Sequence, residues 1–357
     1  MILRHNKLGD DGCIELFKYL CSEDGRRHKV SGILLNANNL GNTALESIGN
    51  FLRDNRWLKE LYLASVKSSL PHTAALLNFL LQNDFIGDSD VTTSFAEALN
   101  SSSLKVLSLS SCDSLSDAFA ERFFPRLDSP HLVNLQLSSI GLTRAAAPSI
   151  VGYLSSPRSR RLATLRLSGN NLGAQGAAKI VRVIMEANFN VLSLEVYGVR
   201  THQGGQDDSS EDTTPINRFQ EDLLYALARN ELLQRQTHAA ALRLLRYSRT
   251  LLLKPGRETE ETGRPQFHIQ SLPAELQLHI LSLTVDTLST NQRIRIFQFA
   301  SDPATLPAIL PDLRQRQSEG VPETSLLEKS SAPFTLSARS TNRTQWLQAV
   351  GCDLYES

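Results

Sequence analysis

The chain has 357 residues, 41% of them hydrophobic, and balances 37 basic against 37 acidic side chains for a formal net charge of +0. That length buries a sizeable core, and the missing charge bias removes the usual electrostatic case for nucleic-acid binding. No apolar run is long enough to propose a membrane span, and the start MILRHNKLGDDG lacks a signal-peptide core; Cys13, Cys21, Cys112 and Cys352 have neither metal-ligand nor redox spacing, so a reducing compartment, cytoplasmic or nuclear, is expected.

In chain order, one pattern returns. Leu3, Asn6, Leu8 and Gly9 give the back end of a copy, and Val30, Ile33, Leu35, Asn38, Leu40 and Gly41 give a whole one. Leu104, Leu107, Leu109, Cys112 and Leu115 follow, then Leu132, Leu135, Leu137, Ile140 and Leu142. The cleanest copy is Leu162, Leu165, Leu167, Asn170, Leu172 and Gly173, with an Ala/Ile/Val-rich helix from Ala174 to Ala187; Val191, Leu194, Val196 and Val199 form a degenerate last one. Each Leu-x-Leu predicts a short strand with its leucines inward, each Asn a side chain bonding neighbouring backbone, and each following apolar stretch a helix closing the coil. Residues 1–199 therefore read as an α/β leucine-rich-repeat solenoid of about seven repeats. Met1 stands where a strand residue belongs, so the first repeat is expected to be incomplete, with sequence missing before it.

The third copy breaks the rhythm. Leu58, Leu61 and Leu63 lead into Ala64 and Ser65, but 17 residues, VKSSLPHTAALLNFLLQ (66–82), intervene before Asn83, Phe85 and Gly87 complete the motif. Without them the spacing from Leu58 to Leu104 falls from 46 to 29. Two readings fit. An insertion is cheap in closure entropy, about 0.6 kcal/mol per doubling of loop length. A retained in-frame intron better explains Leu76, Leu77, Phe79, Leu80 and Leu81 together in a loop, and Val-Lys and Gln at its ends can be encoded by codons that resemble splice sites. Transcript sequencing separates the two.

Beyond the repeats, 200–218 reads as an acidic flexible linker and 219–253 as a helix capping the last repeat. Arg229, Arg235, Arg243, Arg246 and Arg249 fall on that helix's polar side, read as a solvated face. A linker at 254–268 precedes a helical module at 269–310. There SLPAELQLHILSL combines an extended entry at Leu272-Pro273 with Leu276, Ile280 and Leu283 on one helical face, and Gln292 to Ala300 adds a second amphipathic segment. Residues 311–344 read as a flexible linker, and 345–357, with Trp346, Leu347, Val350, Leu354 and Tyr355, as a tail that docks on the helices.

The repeats resemble the ribonuclease-inhibitor-type leucine-rich-repeat family, which includes the Ran GTPase-activating proteins and has units of about 28 residues. The resemblance implies a horseshoe with parallel strands on a concave face and helices on the convex one. The string Leu-Pro-x-Glu-Leu-x-x-x-Ile-Leu is similar to the opening of the F-box, which docks an adaptor of cullin-type ubiquitin ligases; Leu272, Pro273, Leu276, Ile280 and Leu281 would carry that contact. A helical cap with a good helix start is the plainer reading of the same residues.

On the concave face the outward residue between paired leucines is Leu34, Tyr62, Ser108, Gln136, Arg166 and Glu195 in successive repeats, and the next column includes Arg4, Asn36 and Tyr197. Leu34, Asn36, Tyr62, Ser108, Gln136, Arg166, Glu195 and Tyr197 are the expected partner-binding residues. They form a mostly neutral, hydrogen-bonding surface. No catalytic set, phosphate-cradling loop, metal site or cofactor site is legible. The sequence thus points to a monomeric, non-enzymatic scaffold for a protein partner, with a cullin-ligase adaptor as a further partner and neither nucleic acid nor membrane involved. The alternative is a Ran-type activator acting on a small GTPase through its repeats.

Overall fold

The computed structural model describes residues 1–53, 55–65, 83–87, 90–196, 213–252, 272–305 and 336–356. The segment 66–82 and Tyr197 lie outside the described residues, as do Val199 and the linker residues 200–212, 254–268 and 311–335. The chain divides into two compact units, Met1–Glu231 and Leu232–Ser357.

The first unit is α/β. Its strands are β1 (Gly32–Leu34), β2 (Glu60–Tyr62), β3 (Val106–Ser108), β4 (Asn134–Gln136), β5 (Thr164–Arg166) and β6 (Ser193–Glu195). They form one parallel sheet in strict sequence order. Pairing puts Ile33, Leu61, Leu107, Leu135, Leu165 and Leu194 in one file, all buried, because the middle residue of each strand faces the helices. The helices are α1 (Gly9–Cys21), α2 (Glu23–Arg27), α3 (Asn42–Leu52), α4 (Asp90–Ser101), α5 (Ser116–Arg126), α6 (Ala147–Leu154) and α7 (Gly173–Glu186), and apart from the short α2 each packs on the one in the next repeat. Ahead of β1, Ile2 bridges Leu34 in parallel, so the residues around Leu3 are extended as the motif predicts.

The asparagine slots brace the stack. Asn38 Oδ1 accepts from Asn6 N at 2.9 Å, and its Nδ2 donates to Leu3 O at 2.6 Å. Asn170 Oδ1 accepts from Ile140 N and Leu142 N at 3.0 and 3.1 Å, while Nδ2 donates to Leu137 O and Leu167 O, both at 2.8 Å. Asn83 does the same: Oδ1 accepts from Asn38 N and Leu40 N at 3.0 and 3.1 Å, and Nδ2 donates to Leu35 O and Leu63 O at 3.2 and 2.8 Å. Asn83 thus holds the slot that Ser65 leads toward in sequence, across the 66–82 segment. Cys112 replaces Asn in its repeat with weaker sulfur contacts to Leu63 O at 3.5 Å and Ser65 Oγ at 3.6 Å.

A left-handed residue precedes the slot in each of five repeats, at His5, Ala37, Ser111, Ser139 and Gly169, turning the chain out of its strand. Only the last is glycine, and there a Cβ would sit 2.2 Å from Ser139 Oγ. A second brace follows the same logic one turn on. Asp10 Oδ1 accepts from Gly41 N, and Asp117 Oδ1 from Thr143 N, each at 2.6 Å. Neither device was legible in the consensus leucines.

Helix α8 (Thr213–Leu252) starts inside the expected linker 200–218; Pro215 sits in its first turn, where a missing N–H costs nothing. In the first unit its Leu223 and Ala226 join the repeat core. Arg229, read as part of a solvated face, instead caps α7: its guanidinium donates to the carbonyls of Ile184 and Met185 and stacks on Phe189 at 4.5 Å.

The second unit is helical. It contains the remainder of α8, α9 (Ala274–Leu283), α10 (Thr290–Ser301) and α11 (Leu336–Ala349). Residues 336–344 were expected in the flexible linker 311–344; they are helical because α11 runs back from its buried anchors Leu347 and Val350. Those anchors pack with Ala241, Leu244, Leu281, Val285, Leu288, Ile296 and Cys352. Ser289 and Gln292 form a reciprocal capping box on α10. The fully buried Gln292 also donates Nε2 to Gly351 O and Leu354 O at 2.9 Å, and Arg295 pairs with Glu356 at 2.7 Å, tying down the carboxyl-terminal residues. Arg249, also expected on the solvated face, donates to Thr305 and stacks on Phe299 at 5.1 Å.

Candidate protein-binding face

The register that buries the leucine file turns two flanking files outward. One is the expected column Leu34, Tyr62, Ser108, Gln136, Arg166 and Glu195. The other, Gly32, Glu60, Val106, Asn134, Thr164 and Ser193, was not anticipated, because these residues precede the inward leucine and occupy no consensus slot. Strand alternation alone could have found them.

Within the expected column the residues are not equivalent. Arg166 is exposed, whereas Leu34, Tyr62, Gln136 and Glu195 are half-buried. Ser108 is only 3% exposed, so it forms floor between its larger file neighbours Tyr62 and Gln136 and offers a partner almost no surface. Asn36 is half-buried, and its Oδ1 is buried with no hydrogen-bond partner among the described residues. Gln136 Nε2 donates to Asn134 Oδ1 at 3.3 Å, joining the two files.

The surface is less neutral than the expected column alone implies. Arg166 Nε lies 3.1 Å from Glu195 Oε1, an exposed pair contributing about 0–1 kcal/mol. Glu60 is exposed beside Tyr62, whose phenol pKa is raised by burial and then by Glu60, with Arg166 acting in the opposite sense. Where the chain enters the strands, Lys59 and Lys105 occupy equivalent positions. Burial and then Lys105 lower the Lys59 pKa. His131 is lowered by burial and by the cations Lys59, Arg161 and Lys105.

The F-box-like residues divide differently. Leu276 and Ile280 on α9 are 48% and 37% exposed, and Leu283 beside them is 72% exposed. Pro273 is exposed and Leu272 half-buried, with its carbonyl accepting from Gln277 Nε2 at 2.7 Å. Leu281, expected with them, is 3% exposed in the helical core, because one residue beyond Ile280 turns it about 100° around the helix. No helix among the described residues is long and apolar enough to cross a membrane.

The architecture is an α/β repeat fold of leucine-rich-repeat-like kind with a six-stranded parallel sheet. No protein-family model and no curated protein matches the sequence. Among solved structures, the chain is similar to leiomodin-1 actin-binding site 2, at 21% identity over 43% of this chain and 80% of that one, with a TM-score of 0.34. It is also similar to the tropomodulin C-terminal domain of Caenorhabditis elegans, at 15% identity over 62% of this chain and 93% of that one, with a TM-score of 0.30.

Proposed function

We propose that the chain is a monomeric, non-enzymatic scaffold of the cytoplasm or nucleus whose strand-lined face, the concave side of a horseshoe, holds a protein partner. The observation that carries this reading is the pair of registered outward files, in which Tyr62, Gln136 and Arg166 stand beside Glu60, Asn134 and Thr164. An aromatic ring and an arginine on one continuous sheet surface match the residue types enriched at protein interfaces. Quantitative capture from the native cell tests it. A partner lost from the Tyr62→Ala, Arg166→Ala double variant but kept by Arg182→Ala on α7 supports the reading; equal loss from both rejects it.

A second reading concerns the helical unit: the α9 surface of Leu276, Ile280 and Leu283 would meet a cullin-ligase adaptor. The exposure of these three side chains favours it. The purified full chain should retain the adaptor, and Leu276→Asp with Ile280→Asp should abolish retention; no binding by wild type removes this reading. The Ran-type activator alternative rests on repeat type alone, and unchanged hydrolysis by GTP-loaded Ran would eliminate it.

A further inference from the structure

A groove of about 330 Å³ lies beside the entry to β2, lined by Leu20, Phe51 and Trp57 and by Arg26, Arg53 and Arg56. Two local features build it. Gly25 lets α2 fold back on the end of α1, since a Cβ there would lie 2.1 Å from Tyr19 O. Asn55 Oδ1 accepts the N–H groups of Trp57 and Leu58, each at 2.9 Å, in a turn that sends Leu58 into the core and leaves the Trp57 indole outside. Trp57 is 51% exposed, with the Lys29 ammonium 4.8 Å from its ring centre.

The charge here is unbalanced. Arg27 is engaged by Glu23 at 2.8 Å and Asp24 at 3.4 Å, which consumes the acidic side chains of α2. Arg26, Arg53 and Arg56 are exposed and make no ion pair among the described residues. Asp54, between the last two in sequence, lies outside the described residues; counted in full, it still leaves the cations in excess. Lys59 and Lys105 extend the positive edge to the next repeats, close enough that Lys105 depresses the Lys59 pKa.

We propose that this groove binds an acidic protein segment carrying one bulky apolar side chain. The apolar group enters between Leu20, Phe51 and Trp57, and flanking carboxylates meet the guanidinium forks of Arg26, Arg53 and Arg56. A peptide is favoured over a nucleic acid for two reasons. The apolar floor of Leu20, Phe51 and Trp57 suits a single large side chain, and the three guanidinium forks around it are placed to pair with carboxylates flanking that side chain. The site is distinct from the strand-lined face and does not depend on the function proposed for that face.

The test uses the full chain with Trp346→Phe, which leaves Trp57 as the single tryptophan of the original two. The probe is a fluorescein-labelled peptide of aspartates and glutamates around a central phenylalanine, followed by anisotropy with Trp57 emission in parallel. Saturable binding that weakens with salt and perturbs Trp57 is expected. Affinity should fall at least about ten-fold in Arg53→Glu, Arg56→Glu, at unchanged circular dichroism and Tm, and about five-fold when the peptide phenylalanine becomes serine. No saturable binding overturns the proposal, as does a double variant binding like wild type. Single-stranded DNA of matched charge binding more tightly than the peptide overturns it too.

Discussion

The two units bury their cores by different rules. In Met1–Glu231 successive repeats present equivalent residues to the same place, so Leu165 sits in file with Leu135 and Leu194, and Asn170 repeats what Asn83 does elsewhere in the stack. In Leu232–Ser357 nothing recurs: Leu244, Leu281, Ile296 and Leu347 each come from a different helix, and one glutamine, Gln292, gathers the carboxyl-terminal backbone. A periodic core spreads its polar bracing across many copies, while an aperiodic one concentrates it. Stability in the first unit should therefore follow the slots, and in the second the few residues where helices meet.

The largest effect should come from Leu165→Ala, which opens a cavity in a central strand at 0% exposure; a loss of about 4 kcal/mol is expected by denaturant titration. Next is Asn170→Ala. It removes four hydrogen bonds and strands buried carbonyl and amide groups, for about 3 kcal/mol. Gln292→Ala should cost about 2 kcal/mol and free the carboxyl-terminal residues to proteolysis, leaving the repeats intact. If Gln292→Ala unfolds both units together, the contrast between them collapses.

Smaller is the contribution of the thiols. Burial, named first among the causes in each case, raises Cys13, Cys112 and Cys352 to about 12, from an ordinary thiol value of about 8.5. Because the folded pKa is the higher one, their contribution is whole below the unfolded value. It is lost as pH rises from about 8.5 toward 12, where unfolded thiols ionise and folded ones do not. Stability measured across that range should fall. Maleimide at pH 8 should modify only Cys21, the exposed cysteine of the four, until denaturant is added. The smallest effect is Arg166→Ala, expected to change stability by no more than about 1 kcal/mol since its partner Glu195 is also solvated.

What could be read in advance follows from the same contrast. The leucine file and the slots of Asn38 and Asn170 were legible because repetition shows each residue several times, and Asn83 because removing 66–82 restored the ruler. Glu60, Asn134 and Thr164 were missed because the motif leaves their positions unspecified, and only paired strands show that they share a face. Leu281, expected in the adaptor contact, lies in the helical core, since a run of apolar residues leaves the facing angle open until Val285 and Leu288 pack in the same cluster. Arg229 and Arg249 looked solvated because nothing local announces the carbonyls and rings they reach.

The central claim is that a protein partner sits on the outward strand files. A photo-crosslinking amino acid placed at Tyr62 or Gln136 in the native cell addresses it directly, with Arg182 on α7 as the control position. A discrete adduct from Tyr62 and Gln136, absent from Arg182, is the predicted result. Adducts from Arg182 with none from the strand positions would contradict it.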